Sequence, residues 1–409
     1  MSVKYNLSSV PGFDELVNDG IGGTNTNALL MKKMTCRSNN AEYKVIHYDK
    51  DVLKSDLANT VGLCRSVIVN SNNKVVGFAP PKSISAEAFI KKFPERENVI
   101  AEEFVEGTMI NVFYDDSIGD WEISTKNTVG ATSSFYKTSN SKTFRQMFME
   151  AAEHCNLDIR KLPKEYSYSF VLQHPENRIV VPFKVPRLYL VAGYKILNEN
   201  GTVQVVPYHS TFFHNLNYLM STNGIRFPEI YEFDRYWNLV DQYTSCNTPY
   251  NVMGVVLYNK ATGERAKVRN PTYEHVRNLR GNQPKLQYQY LHLRKTGKIK
   301  EFLKYYPETK KDFSYFRDQV HMFSNTLYEN YVSCYIKKVK PLNEYPDQYK
   351  THMYNIHKYY LDELREKKEY ISRNYVRTYV NNMHTSLLMH CLNYHSNRKH
   401  VDEIKNAIV

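Results

Sequence analysis

The sequence predicts an α+β chain: antiparallel sheets with a few helices, followed by an all-α C-terminal domain. Three observations carry this. Short β-rich runs, joined across turn residues, fill 61–270. A Gly281-Asn282-Gln283-Pro284 break follows. Beyond it apolar residues recur at steps of three and four, the period of a helix. The expected organisation is 1–60 as a mixed segment packed on the core, 61–283 as the sheet-rich domain, and 284–409 as a basic, tyrosine-rich helical domain.

Each element follows in order. Residues 1–60 read as turn-rich, with a Gly20-Ile21-Gly22-Gly23 loop. No Gly-Lys-Ser/Thr follows that loop, so it reads as a flexible connection and not a phosphate cradle. Val67-Ile68-Val69 and Lys74-Val75-Val76-Gly77-Phe78 flank Asn70-Ser71-Asn72-Asn73, a hairpin signal. Met109 to Tyr114 and Trp121 to Ser124 flank a second turn around Gly119. Further strands are expected over 166–172, 188–197 and 203–208. Residues 252–258 and 264–269 form another hairpin through Lys260-Ala261-Thr262-Gly263. Helices are expected over 143–154 and from Pro271, because proline is tolerated at a first helical position. In the tail, Phe313, Phe316, Val320, Phe323, Leu327, Tyr331 and Tyr335 form one stripe of a long helix. Met353, Ile356, Tyr360 and Leu364 form a second, and Tyr375, Tyr379, Met383 and Leu387 a third. These stripes read as bundle core.

Composition narrows the class. Hydrophobic residues make up 42% of 409 and charged residues 23%, which fits a globular chain with a sizeable core. No apolar run reaches membrane-spanning length, so no membrane partner is expected. The first residues lack a signal-peptide core. The six cysteines show no CxxC spacing, so a reduced, intracellular and cytoplasmic setting is expected. Of the net charge of +12, the segment 285–409 carries +9, from 22 Lys+Arg against 13 Asp+Glu, and 17 of the 34 tyrosines. Cations neutralise phosphates and rings stack on bases, so nucleic acid is the expected partner. The plainer alternative is a helical bundle with tyrosines in its packing and lysines on its wet face.

Six segments then carry chemistry. They are Leu63-Cys64-Arg65-Ser66-Val67 with Ala79-Pro80-Pro81-Lys82; Phe104-Val105-Glu106-Gly107-Thr108; Ser124-Thr125-Lys126; Val171-Leu172 with Pro175-Glu176-Asn177-Arg178-Ile179-Val180; Met253-Gly254-Val255-Val256; and Ala266-Lys267-Val268-Arg269. In this order they resemble the motifs of the covalent nucleotidyltransferases, and of the phage RNA ligase family in particular. The resemblance covers roughly 60–280 and implies a nucleotidyltransferase fold.

It also implies a chemistry. In that family a lysine amine attacks the α-phosphorus of ATP, AMP passes to an RNA 5′-phosphate, and an RNA 3′-hydroxyl closes the strand. Glutamates position ribose and a divalent metal. Here the lysine place is Phe104, the first glutamate place Val171 and the second Met253. All three replacements are apolar. Once the lysine is lost, a buried carboxylate loses its partner, so the changes are electrostatically consistent. The retained matches are Arg65, Lys82, Glu106, Lys126, Lys267 and Arg269, expected to hold a nucleotide or phosphate. Their plainer reading is solvated strand ends, and that of Phe104, Val171 and Met253 is core filling. The departures, including Ser66 where glycine is usual, point to a catalytically degenerate member.

The expectation is a protein that binds RNA, tRNA-like or within a larger nucleic-acid or protein complex, with no metal and no cofactor. The alternative is an active ATP-dependent RNA ligase with displaced groups, using ATP and Mg. A third reading is an assembly subunit using the fold as a scaffold. Lys91, Lys92 and Lys126 are poor substitute nucleophiles, because a different strand changes the line of approach to phosphorus. His390, Cys391, His395 and His400 lack zinc-ligand spacing and read as a helix end. Asp115-Asp116 reads as a turn. Lysine, asparagine and tyrosine richness, with the resemblance, suggests a viral source, acting in the host cytoplasm or virion.

Overall fold

The computed structural model describes residues 3–18, 30–135, 141–199, 201–214 and 224–399. The Gly20–Gly23 loop and His400 lie outside them. The chain divides into two compact units, Met1–Arg277 and Asn278–Val409.

The first unit contains, in chain order, β1 (Tyr5–Asn6), β2 (Met31–Ser38), β3 (Ala41–Tyr48), β4 (Val67–Val69), β5 (Val75–Phe78), β6 (Val99–Glu103), β7 (Thr108–Asp115), β8 (Asp120–Ser124), β9 (Tyr166–Gln173), β10 (Arg187–Glu199), β11 (Thr202–His209), β12 (Ile230–Tyr231), β13 (Gly254–Asn259) and β14 (Arg265–Arg269). They form three sheets, with orders β1-β11-β10-β9-β7-β8, β12-β6-β13-β14 and β2-β3-β4-β5. Every strand pair within the sheets is antiparallel.

The expected hairpins form, and for the expected reason. Asn73 takes a positive φ of 56° in the β4–β5 turn, and Gly119 one of 67° between β7 and β8. The helix Phe144–His154 begins at Thr143, whose side chain and that of Gln146 cap each other's backbone. Its buried face, Met147, Phe148, Ala151 and Ala152, joins Phe170, Leu188 and Leu190 in one core. A second core links the third sheet to β10 and β11 through Phe13, Ile46, Val67, Phe78, Tyr194 and Val205.

The turn-rich reading of 1–60 needs correction over 31–48. Those residues form a long hairpin, β2–β3, turning at Asn39 and Asn40 with φ of 48° and 62°. β1 is an edge strand of the six-stranded sheet. The N-terminal stretch is therefore part of two sheets.

In the second unit, helices span Leu286–Lys295, Ile299–Tyr305, Lys310–Tyr331, Asp347–Tyr359, Arg373–Asn382 and Thr385–Leu392. Phe313, Val320, Phe323, Leu327 and Tyr331 are buried, as are Met353, Ile356 and Leu364. Of the third stripe Met383 is buried, Tyr375 and Tyr379 are half-buried and Leu387 is exposed; Val376 and Val380 take the interior of that helix, and a separate helix buries Leu388 and Cys391. Cys391 Sγ lies 3.3 Å from His352 Nε2 inside this unit, not at a wet helix end. No helix among the described residues is long and apolar enough to cross a membrane.

Candidate functional site

The sheet β12-β6-β13-β14 sets out the site by its register. Glu102 pairs with Val256 and Val256 with Lys267, while Tyr258 pairs with Arg265 and Gly254 with Arg269. Directly opposed residues share a face, and a strand alternates faces with period two. One face therefore presents Arg265, Lys267 and Arg269 from β14 beside Glu102 from β6. The other face presents Ala101, Val255, Leu257 and Ala266 to a core with Phe89 and Leu239. Phe104 follows β6, its N–H donating to the Gly254 carbonyl at 3.1 Å.

Two glycines permit this close approach. Gly107 has φ of 150°, and a Cβ there would stand 2.5 Å from the Leu172 carbonyl oxygen. Gly254 has φ of 135°, and a Cβ would collide with the Val268 carbonyl oxygen.

Above this face lies a cavity of about 240 Å³. Arg65, Phe104, Val171, Met253, Lys267 and Arg269 all line it, so six of the nine expected site residues meet in one place. Its apolar side is Phe104, Val171 and Met253, with Val171 packed against Val105 and Tyr189. Its cationic side is Arg65, Arg265, Lys267, Arg269 and Arg277. The Lys267 amine sits 4.6 Å from the centre of the Phe104 ring, and the Arg269 guanidinium carbon 5.4 Å. Both are within cation–π range.

The charges are unevenly matched. Arg269 and Arg277 share Glu274, at 2.7 and 3.4 Å. Arg65, Arg265 and Lys267 have no carboxylate partner among the described residues, and the buried Arg265 Nε donates to nothing there. Burial, and after it the guanidinium groups of Arg265, Arg65, Arg269 and Arg277, hold the Lys267 amine well below the ordinary lysine value. Burial, followed by the repulsion of Arg265, also lowers the Arg65 guanidinium. Burial pushes the Glu103 carboxyl up. Glu102, also in the wall, lies 3.1 Å from His209 Nε2, off the line of a hydrogen bond.

Three expected residues lie elsewhere. Lys82 lines a neighbouring cavity of about 340 Å³, which shares Arg265 with the first. Lys82 and Lys126 stand 5.6 and 5.3 Å from the Tyr48 ring centre. Burial, then Lys50, Arg65 and Lys82, lower the Lys126 amine. Glu106 does not line the cavity. Its carboxylate is buried and accepts from the Val180 N–H at 2.8 Å and the Val181 N–H at 3.0 Å, with Tyr273 as a further donor. It fastens the backbone at Val180 and Val181. Arg265 and Arg277 went unpredicted. Arg265 had a signal, since it continues the alternation of Lys267 and Arg269. Arg277 depends on the helix after Pro271 and had none.

The cavity's chemistry suits a phosphate group and does not suit a divalent cation. Such a cation needs several oxygen ligands; the two places expected to supply them are Val171 and Met253, which leaves Glu102 and Glu103 as the carboxylates of the lining. Among the described residues no three His, Cys, Asp or Glu group as metal ligands.

An RNA ligase of Rhodothermus phage RM378 is 30% identical over 112 residues, 26% of this chain and 25% of that protein. Over that quarter of its length the chain is similar to an RNA ligase. The chain also matches an immediate-early protein ICP-46 homolog of Invertebrate iridescent virus 6, at 25% identity over 225 residues, 51% of this chain and 46% of that protein. The chain thus spans a quarter of one relative and less than half of the other. A solved archaeal ATP-dependent RNA ligase (form 2) aligns over 75% of each chain at 13% identity, with a TM-score of 0.40, too loose to argue from. No family model matches the chain.

Proposed function

We propose that this RNA-ligase-type chain recognises phosphate without forming a covalent nucleotide adduct at residue 104, and that its ligand is RNA. The observation that carries this is the cavity itself. Phenylalanine has no lone pair for phosphorus, and Val171 and Met253 face the same space without oxygen. Three cations remain there without carboxylate partners. Buried, unpaired charge is costly, so the site is built for an anion that comes from outside. RNA is favoured because the described relative is an RNA ligase and because the tail adds net positive charge and rings.

A second reading has one observation behind it. The depressed Lys267 amine lies over the Phe104 ring, close to the nucleophile's place. An amine that holds its proton more weakly is more readily a nucleophile. On that reading its nitrogen bonds to the α-phosphorus of ATP as the bond to pyrophosphate breaks.

Incubation with α-labelled ATP and magnesium, followed by denaturing electrophoresis, separates the two. The expected outcome is no protein-bound label. A labelled band that disappears in Lys267→Arg would sink the binding reading and establish the second.

A further inference from the structure

The second unit holds a feature that its bundle core does not explain. The rings of Tyr335 and His357 are stacked, centroids 3.8 Å apart and planes 13° apart, and Tyr360 continues the ladder at 5.8 Å and 23°. Core rings of this unit, such as Phe313, Phe323 and Tyr331, are at most 4% exposed. The ladder is only half-buried. Each of its tyrosines sits in a π-helical turn, Val332–Ile336 and Tyr360–Leu364. In those turns the Lys337 N–H donates to the Val332 carbonyl and the Arg365 N–H to the Tyr360 carbonyl. Such turns are rare, weaken a helix locally and concentrate at working sites.

Two further observations point to a ligand. His357 Nδ1 is buried and has no hydrogen-bond partner, a costly state for a core residue. One turn before His357 on the same helix, Tyr354 is 56% exposed and close enough to Tyr335 to influence its phenol. Lys337 and Lys358, next to these rings in sequence, are exposed and have no carboxylate partner among the described residues.

We propose that Tyr335, Tyr354, His357 and Tyr360, with Lys337 and Lys358, form a base-stacking platform for single-stranded RNA. The rings offer flat apolar faces to an unstacked base, and the lysines meet the flanking phosphates. This rests on the reading that the chain binds RNA, and it locates where bases, as distinct from phosphates, are held. A protein partner would use the exposed rings but not require a base.

The test measures binding of the full chain to a short oligoadenylate and to its abasic counterpart, at one salt concentration. The wild type is expected to prefer the base-bearing strand about tenfold. Tyr354→Ala, at an exposed position, is expected to erase that preference and leave abasic affinity unchanged. Lys337→Ala with Lys358→Ala should weaken both strands equally. Equal wild-type affinity for the two strands, or an unaltered preference in Tyr354→Ala, would overturn the platform while leaving RNA binding intact. Binding of neither strand would remove the RNA reading and the platform with it.

Discussion

At the scale of single residues, Lys267 is the most informative group in the chain. Its amine combines burial with four guanidinium neighbours, and both disfavour the proton. The consequence for stability has a definite sign. The folded-state value lies below that of the unfolded chain, near 10.5. Between the two values the unfolded chain binds more protons, so stability rises with pH across that window. Below the folded value the penalty is present in full. Replacing the amine by a methionine of similar length removes the penalty but keeps the packing. Lys267→Met is therefore expected to raise the urea midpoint at pH 7 and to flatten its rise as pH approaches the ordinary lysine value. Lys126 shifts the same way, so some slope should remain. Inorganic phosphate should stabilise the wild type more than the variant, because a ligand stabilises the state that binds it. A less stable Lys267→Met would mean that the amine already has a favourable partner.

At the scale of elements, the contrast lies between motif glycines that are kept and motif side chains that are replaced. Gly107 and Gly254 remain because β9 and β14 bring backbone where a Cβ would stand. The places of the lysine and the two carboxylates lie on the cavity side and became apolar without disturbing a strand. Gly254→Ala is thus expected to cost about 3 kcal/mol or more, since it adds a backbone clash to an unfavourable φ. Urea unfolding of the first unit would show this, and a loss under about 1 kcal/mol would contradict it. The same contrast explains what the sequence made legible. Hairpins announced themselves through Asn70–Asn73, Gly119 and Gly263, because turn chemistry is local. β2 did not, since Lys32, Lys33, Met34 and Thr35 are all exposed and erase the alternation. Its one cue was the Asn39-Asn40 turn. The motif residues were legible as a set because chain order preserves them. Glu102 and Glu103 were not, because their place in the cavity wall depends on the register of β6 against β13. Tyr375 and Tyr379 misled, since tyrosine is apolar enough to mimic a core stripe while Val376 and Val380 take the interior.

At the scale of the molecule, charge is distributed unequally. Residues 285–409 hold +9 of the net +12, leaving +3 for the rest, yet the cavity concentrates five cations on one sheet face and its surroundings. Net charge alone would place RNA affinity in the tail. Local geometry adds a second centre, where Arg65, Arg265 and Lys267 await an anion. The two contributions separate by salt. Each phosphate neutralised on a single strand contributes about −0.7 to the slope of log affinity against log salt. If the three cavity cations each meet a phosphate, changing all three to methionine should make the slope shallower by about 2, with the tail's contribution remaining. The full chain, bound to a short single-stranded RNA at several salt concentrations, gives both slopes directly. An unchanged slope would mean that no RNA phosphate enters the cavity, and that the site holds a small free anion while the strand binds elsewhere.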